Sequence, residues 1–268
     1  MPEPSPDADA VLAVLRELFP HGAVADLERL TGGASRSTWQ CTVDGSPYVV
    51  QRQRPDTTER DMGVEAAVLA EARRVGVPVP PLVGCVTDAS GTTSLVTRHV
   101  AGETIARRIL RDDRFASARD ALTRELGEAI GRVHTIDASA VPGLERTEAL
   151  AAIRDRLDEL GQPHPAFELA MRWLDDHRPA SSGRVALVHG DFRLGNVIVD
   201  EQGLAAVIDW ELAHLGDPLE DLGWLCSPAW RFGSPLPVAG VGERDDLLRA
   251  YASVTGVVVD PDDLLWWE

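Results

Sequence analysis

Residues 185–218 read VALVHGDFRLGNVIVDEQGLAAVIDWELAHLGDP. Three apolar runs are interrupted at fixed points by His189, Asp191, Asn196 and Asp209. Short strands would be steadier without these side chains, because a polar group near a core costs free energy unless it is paired. Their placement therefore points to chemistry. His189 and Asp191 follow the run 185–188, Asn196 stands at the head of 197–199, and Asp209 ends 204–208 after a turn at Gly203. If the last two runs pair as a hairpin, Asn196 and Asp209 come to one edge beside Asp191. Two oxygen ligands beside a third carboxylate suit a magnesium ion that carries phosphates.

The rest of the chain divides by texture. Ser5, Pro6 and Asp7 read as a helix start, with Val11, Leu12, Leu15 and Leu18 at helical spacing and an end near Pro20. Residues 27–31, 37–43 and 48–54 read as strands, the last two joined by an Asp44-Gly45 turn. Residues 61–74 carry Val64, Val68 and Ala72 at helical spacing, and the prolines of 77–81 end that helix. Two further strands are expected at 82–87 and 94–100. From Thr104 to His177 the chain is rich in Ala, Leu, Arg and Glu, which predicts several helices, and helix returns beyond Pro218. Five strands and a helix followed by a mostly helical half predict an α+β protein of two lobes, residues 1–101 and 102–268. Leu264, Leu265, Trp266 and Trp267 form an apolar cluster where exposure would be costly, so the sequence is expected to be a truncated piece.

Composition narrows the function. The net charge of −17 argues against nucleic acid as a partner, since phosphate backbones need a basic surface. An acidic surface tolerates cationic or neutral substrates more easily. There is no lysine, so all 26 basic residues are arginine and any step that needs a lysine must use another side chain. No apolar run is long enough to span a membrane and no secretion signal opens the chain, so a cytoplasmic protein is expected. Cys41, Cys85 and Cys226 are far apart and not at metal-ligand spacing, and are expected to be buried thiols.

The pattern H-x-D-x-x-x-x-N, a strand, and then Asp resembles the catalytic loop and metal-binding Asp of the protein-kinase-like fold. HGDFRLGN with IDWE and GDP is similar to the aminoglycoside phosphotransferase and choline kinase superfamily. Together with LTGGASRSTW, the set looks most like the branch found fused to some acyl-CoA dehydrogenases. The resemblance implies a small antiparallel-sheet N-terminal lobe that binds nucleotide and a helical C-terminal lobe with the catalytic loop. Asp191 would be the catalytic base, Asn196 and Asp209 would hold Mg²⁺, and His189 would brace the loop. Arg193 would meet the transferring phosphoryl group, and its charge would offset the charge that develops there. Asp217 and Asp221 would be structural carboxylates.

For the nucleotide, TGGASRST resembles a phosphate-covering loop, with Gly32 and Gly33 admitting the backbone and Ser35 and Ser37 adding hydroxyls. Where related folds carry a lysine on the third strand, this chain has Gln51, Arg52 and Arg54. Alternation puts Val50, Arg52 and Arg54 on one face. Arg52 is assigned to the phosphates with Glu65 as partner, and Arg54 is the second choice. Backbone groups from Arg98 to Val100 would bind adenine, which leaves ATP and GTP undistinguished. The resemblance implies an ATP-dependent kinase acting on a hydroxyl of a small molecule. A hydroxyacyl acceptor, an antibiotic acceptor and a nucleotide-binding regulatory module without turnover stay as alternatives.

Seven residues separate Asp209 from Asp217, too few for a protein kinase activation segment, so no protein substrate is expected. Trp224, Trp230, Phe232 and the Asp175-Asp176 pair are candidates for the acceptor region, although the aromatics also suit core packing. Arg107, Arg108 and Arg111 would share a helix side able to hold an anionic acceptor, or Glu103 would pair with Arg107 across one turn. The oligomeric state is left open.

Overall fold

The computed structural model describes residues 6–30, 36–54, 61–179 and 184–268. The first half begins with α1 (Pro6–Leu18), β1 (Val24–Leu30), β2 (Arg36–Val43) and β3 (Ser46–Gln53), continues through α2 (Met62–Arg74), and ends with β4 (Leu82–Thr87) and β5 (Thr93–Arg98). Its five strands form one antiparallel sheet in the order β1-β2-β3-β5-β4. Asp44 and Gly45 both take positive φ, 50° and 75°, the backbone twist that a two-residue hairpin turn between β2 and β3 requires. α2 starts where the Asp61 carboxylate accepts from the Gly63 N–H at 2.8 Å.

Two apolar clusters hold this half. Val11, Val14 and Leu15 of α1 bury against Trp39, Cys41, Tyr48, Val50 and Val96 on one face of the sheet. The other face meets α2, whose Met62, Val68 and Leu69 belong to a core continuous with the helical half. Cys41 and Cys226 are buried as expected, but Cys85 is exposed. It lies on β4, the edge strand of the sheet.

Beyond residue 101 come α3 (Ala106–Arg111), α4 (Ala116–Val133), α5 (Ala149–Leu160) and α6 (Pro165–Asp176). The short strands β6 (Ala186–Val188), β7 (Val197–Val199), β8 (Leu204–Val207) and β9 (His214–Gly216) follow, then α7 (Leu219–Cys226), α8 (Arg244–Thr255) and α9 (Pro261–Trp267). β7 and β8 are the antiparallel hairpin expected from the polar punctuation, and β6 pairs with β9. β9 occupies the stretch too short for an activation segment. No described helix is long and apolar enough to cross a membrane.

The link between the halves is pinned to the hairpin. Glu103 N–H donates to the Val199 carbonyl at 2.8 Å and Val199 N–H returns the bond at 3.0 Å. Gly102 makes this approach possible, because a Cβ there would stand 2.4 Å from Ile198 Cγ2 and 2.9 Å from the Val199 oxygen. Most of the apolar cluster at residues 264–267 is packed in: Leu264 is buried, Trp267 lies against Gly223 of α7, and the Trp266 indole donates to the Leu174 carbonyl at 3.1 Å, while Leu265 is exposed. Glu268 then accepts from Arg231 at 3.0 Å and from Arg244 Nη2 at 2.7 Å.

Candidate active site

The loop after β6 is braced from beneath by one buried carboxylate. Asp221, in the first turn of α7, accepts from the backbone N–H of His189 at 2.7 Å and of Gly190 at 2.9 Å. His134 Nε2 lies 3.1 Å from the same carboxylate, and its Nδ1 is 3.0 Å from the Tyr251 hydroxyl. Burial alone would raise the Asp221 pKa, but its bond to His134, the two histidines and the loop N–H groups outweigh that and hold the carboxyl below its ordinary range. His189 is fully buried, and burial lowers its pKa. Its Nδ1 accepts from the Asp191 N–H at 3.2 Å, so the proton sits on Nε2 and is donated to the Ile208 carbonyl at 3.0 Å. His189 thereby ties the loop to the end of β8, and Gly190, at φ +81°, permits the turn, since a Cβ there would meet the Leu212 oxygen at 2.5 Å.

Above this brace the Asp191 carboxylate collects three donors. Arg193 Nε reaches Oδ1 at 2.9 Å and Oδ2 at 3.1 Å, Asn196 Nδ2 reaches Oδ2 at 2.6 Å, and Trp224 Nε1 reaches Oδ1 at 2.7 Å. The Arg193 guanidinium lies 4.5 Å from the Trp230 ring centroid, a cation–π contact that fixes its plane. Trp230 in turn meets Trp224 edge-on at 5.3 Å and Phe232 at 6.5 Å. Asn196 and Asp209 line one cavity of about 740 Å³, bounded on the sheet side by Arg36, Gln51 and Glu65. A larger cavity of about 900 Å³ between α4 and α8 contains no residue of this loop. Asp209 is held at φ +68°, an uncommon conformation for a residue other than glycine and one that marks functional sites.

The sheet side differs from expectation. Arg52 does not meet Glu65. Alternation along β3 does put Tyr48, Val50 and Arg52 on one face, but it is the face covered by α1, and there Arg52 donates to Asp88 at 2.6 Å and Ser94 at 3.1 Å and lies 3.4 Å from Asp7. Against the effect of burial, bonds from Ser90, Arg52 and Thr92 hold the Asp88 carboxyl down at about 2. Glu65 instead pairs with Arg36 at 2.5 Å, and Gln51 is the β3 side chain beside them along the cavity. Arg98 and Val100 border the same cavity, with the Arg98 guanidinium turned over the Tyr48 ring at 5.3 Å. Gly32, Gly33 and Ser35 lie outside the described residues.

Two further expectations resolve into surface pairs. Glu103 accepts from Arg108 at 3.2 Å and Arg114 at 3.4 Å rather than from Arg107, and Arg111 pairs with Asp112. Asp175 pairs with Arg154 and Arg178 on the exposed side of α6 and is no part of the aromatic wall.

The profile of the phosphotransferase enzyme family matches residues 26–257. The chain belongs to the phosphotransferase enzyme family. Within it, the chain is 29% identical over 255 residues to acyl-CoA dehydrogenase family member 11 of Rattus norvegicus, covering 84% of this chain. It spans only 31% of that protein's length. The structure is similar to the GDP complex of aminoglycoside 2′-phosphotransferase-IIIa, with a TM-score of 0.71 at 16% identity over 96% of this chain and 85% of that one. It is also similar to a thermostable aminoglycoside phosphotransferase in ternary complex with AMP-PNP and hygromycin B, with a TM-score of 0.67 at 18% identity over 97% and 87%. These likenesses establish the kinase-like fold of the aminoglycoside phosphotransferases.

Sequence reading missed His134, Tyr251 and the pairing of Arg36 with Glu65, as well as the direct bond from Trp224 to Asp191. It did flag Trp224 as an aromatic of the region, but nothing local announces the others.

Asp209 yields a prediction of its own. Burial, then Glu211 and Glu65, push its carboxyl up from 3.8 to about 6. A carboxyl whose folded pKa lies above its unfolded value draws stability away as pH rises between the two, and the cost is complete above the folded value. Asp209→Asn is therefore expected to raise the melting temperature of the nucleotide-free protein by about 2–8 °C at about pH 7.5, allowing for partial exposure. The gain should shrink as pH falls below about 6 and vanish below 3.8, where the carboxyl is protonated in the folded and unfolded states alike. Thermal melts across that range measure it, and equal melting at the higher pH would show that Asp209 carries no repulsive load.

Proposed function

We propose that the chain is an ATP-dependent phosphotransferase that moves the γ-phosphoryl group to a hydroxyl of a small molecule. The observation that carries this reading is that Asn196, which is bonded to Asp191, lines with Asp209 one cavity bordered by the linker from Arg98 to Val100. Asp191 acts as the base that accepts the acceptor hydroxyl's proton, held in place by Asn196, Trp224 and Arg193. Arg193 lies within reach of both the base and the aromatic wall, where its charge would offset that of the transferring group. His189 and Asp221 act through the loop they brace.

The donor set fits a divalent cation. Asn196 and Asp209 offer oxygen ligands, and the crowded, uplifted Asp209 carboxylate is relieved by a positive charge beside it. These two residues would hold Mg²⁺, which supplies charge neutralisation of the phosphates when bound. The nucleobase would lie along the backbone of 98–100, a mode that accepts adenine or guanine, in keeping with the AMP-PNP and GDP carried by the structural relatives. The exposed faces of Trp224 and Phe232 make the acceptor wall. With the acyl-CoA dehydrogenase relatives in mind, hydroxyacyl compounds head the acceptor classes, followed by aminoglycosides and macrolides.

ADP release from MgATP across hydroxyacyl-CoAs, small hydroxy acids, choline, aminoglycosides and macrolides tests the proposal. Turnover on one class, lost when EDTA removes the metal, is the expected result. MgATP binding with silence across the panel is what a regulatory module would give, and would count against a kinase of these acceptors.

A further inference from the structure

The chain contains no lysine, and β3 offers the cavity an uncharged Gln51. The arginine that sequence assigned to the phosphates, Arg52, is on the opposite face of the sheet and committed to Asp88, Ser94 and Asp7. The cavity nevertheless has a cation on its sheet side. We propose that Arg36, delivered from β2 and not from β3, is the side chain that holds the nucleotide's phosphates, an assignment that rests on the nucleotide reading above.

Three observations converge on it. Arg36 is the first residue of β2, and at 5% exposure it is buried in the wall of the same cavity that Asn196 and Asp209 line. Its Nη1 meets Glu65 of α2 at 2.5 Å, and its Nε lies 3.5 Å from Glu211, two residues past Asp209. It thus touches the sheet half and the catalytic half at once. Finally, the surrounding charge is lopsided. Glu65, Asp209 and Glu211 border the cavity, and of the two arginines along it Arg98 is turned over Tyr48.

Chemistry favours an arginine in this position. A guanidinium presents donors in a planar fork, so one edge can stay on a carboxylate while another meets a phosphate oxygen. Glu65 would then orient the fork as well as balance its charge. Among the described residues, a triphosphate entering a cavity bordered by Glu65, Asp209 and Glu211 meets a buried cation at Arg36. Affinity for phosphates, as distinct from affinity for the nucleoside, should therefore depend on Arg36.

The test is calorimetric binding of MgATP and of adenosine to the full chain. Arg36→Ala is expected to weaken MgATP about ten- to a hundredfold while leaving adenosine unchanged. Arg36→Lys, which keeps the charge beside Glu65 and guards against a misfolded alanine variant, is expected to lose less. Arg52→Ala is expected to lower the melting temperature and leave MgATP affinity within about twofold. Gln51→Lys in the Arg36→Ala background, which restores a cation from the cavity side of β3, is expected to recover part of the lost affinity. Unchanged MgATP affinity in Arg36→Ala would overturn the assignment alone, and so would an equal loss of adenosine, which would make Arg36 a structural residue. A wild-type chain that binds adenosine but not MgATP, or neither, would overturn the nucleotide reading and the assignment with it.

Discussion

Asp191→Asn is expected to lower turnover by about 10²–10⁴-fold while leaving MgATP affinity within a few-fold of wild type. The carboxylate accepts from Arg193, Asn196 and Trp224, and the role of base proposed for it requires a lone pair aimed at the acceptor. An asparagine keeps the shape and removes the basicity. It also has only one oxygen, so its amide N–H₂ would confront one of those three donors, and the side chain would be re-aimed as well as neutralised. Initial rates of ADP release on whichever acceptor turns over, with MgATP binding measured in parallel, separate the two effects. Turnover within about tenfold of wild type would remove Asp191 from the role of base. A parallel collapse of MgATP binding would recast it as a residue of the nucleotide site.

The place of Asp191 beside Asn196 was legible in the sequence, and that of Arg52 on the far face of the sheet was not, for a physical reason. The hairpin of β7 and β8 and the Asp44-Gly45 turn depend on local terms, namely strand alternation and positive φ, which a few residues encode by themselves. Asn196 and Asp209 are fixed to that hairpin, so their meeting could be read from spacing. Alternation along β3 likewise groups Val50 with Arg52, but it does not say which face α1 will cover. That choice is made by the apolar stripe of Val11, Val14 and Leu15, more than thirty residues upstream, and it carried Arg52 away from the cavity. The partnership of Arg36 with Glu65 spans 29 positions and two elements, and those of His134 with Asp221 and Tyr251 span 87 and 117. No period in the chain encodes such pairs. β9, at three residues, is too short for a periodic signal.

The long-range partnership with the most at stake is Asp221. Asp221→Ala is expected to destabilise the fold by about 3–5 kcal/mol, the range seen when one partner of a buried charged pair is deleted. Three donors lose their acceptor together, the N–H groups of His189 and Gly190 and the His134 ring, and those of His189 and His134 are buried. Asparagine should do little better. The His189 N–H uses Oδ2 and the Gly190 N–H uses Oδ1, so an amide, with one oxygen, leaves one backbone donor facing an N–H₂. Tyr251→Phe removes only the outer bond to His134 and is expected to cost about 1 kcal/mol. pH gives the sign of the charge contribution. The folded Asp221 pKa is depressed, so its stabilisation is complete above the unfolded value of 3.8 and is lost as pH falls through the folded one. The gap between wild type and Asp221→Ala should accordingly be widest near neutrality and narrow in acid. Chemical denaturation at several pH values measures it. A loss below about 1 kcal/mol at neutral pH would mean that the catalytic loop holds its shape without the carboxylate, and that His189 and its bond to Ile208 suffice.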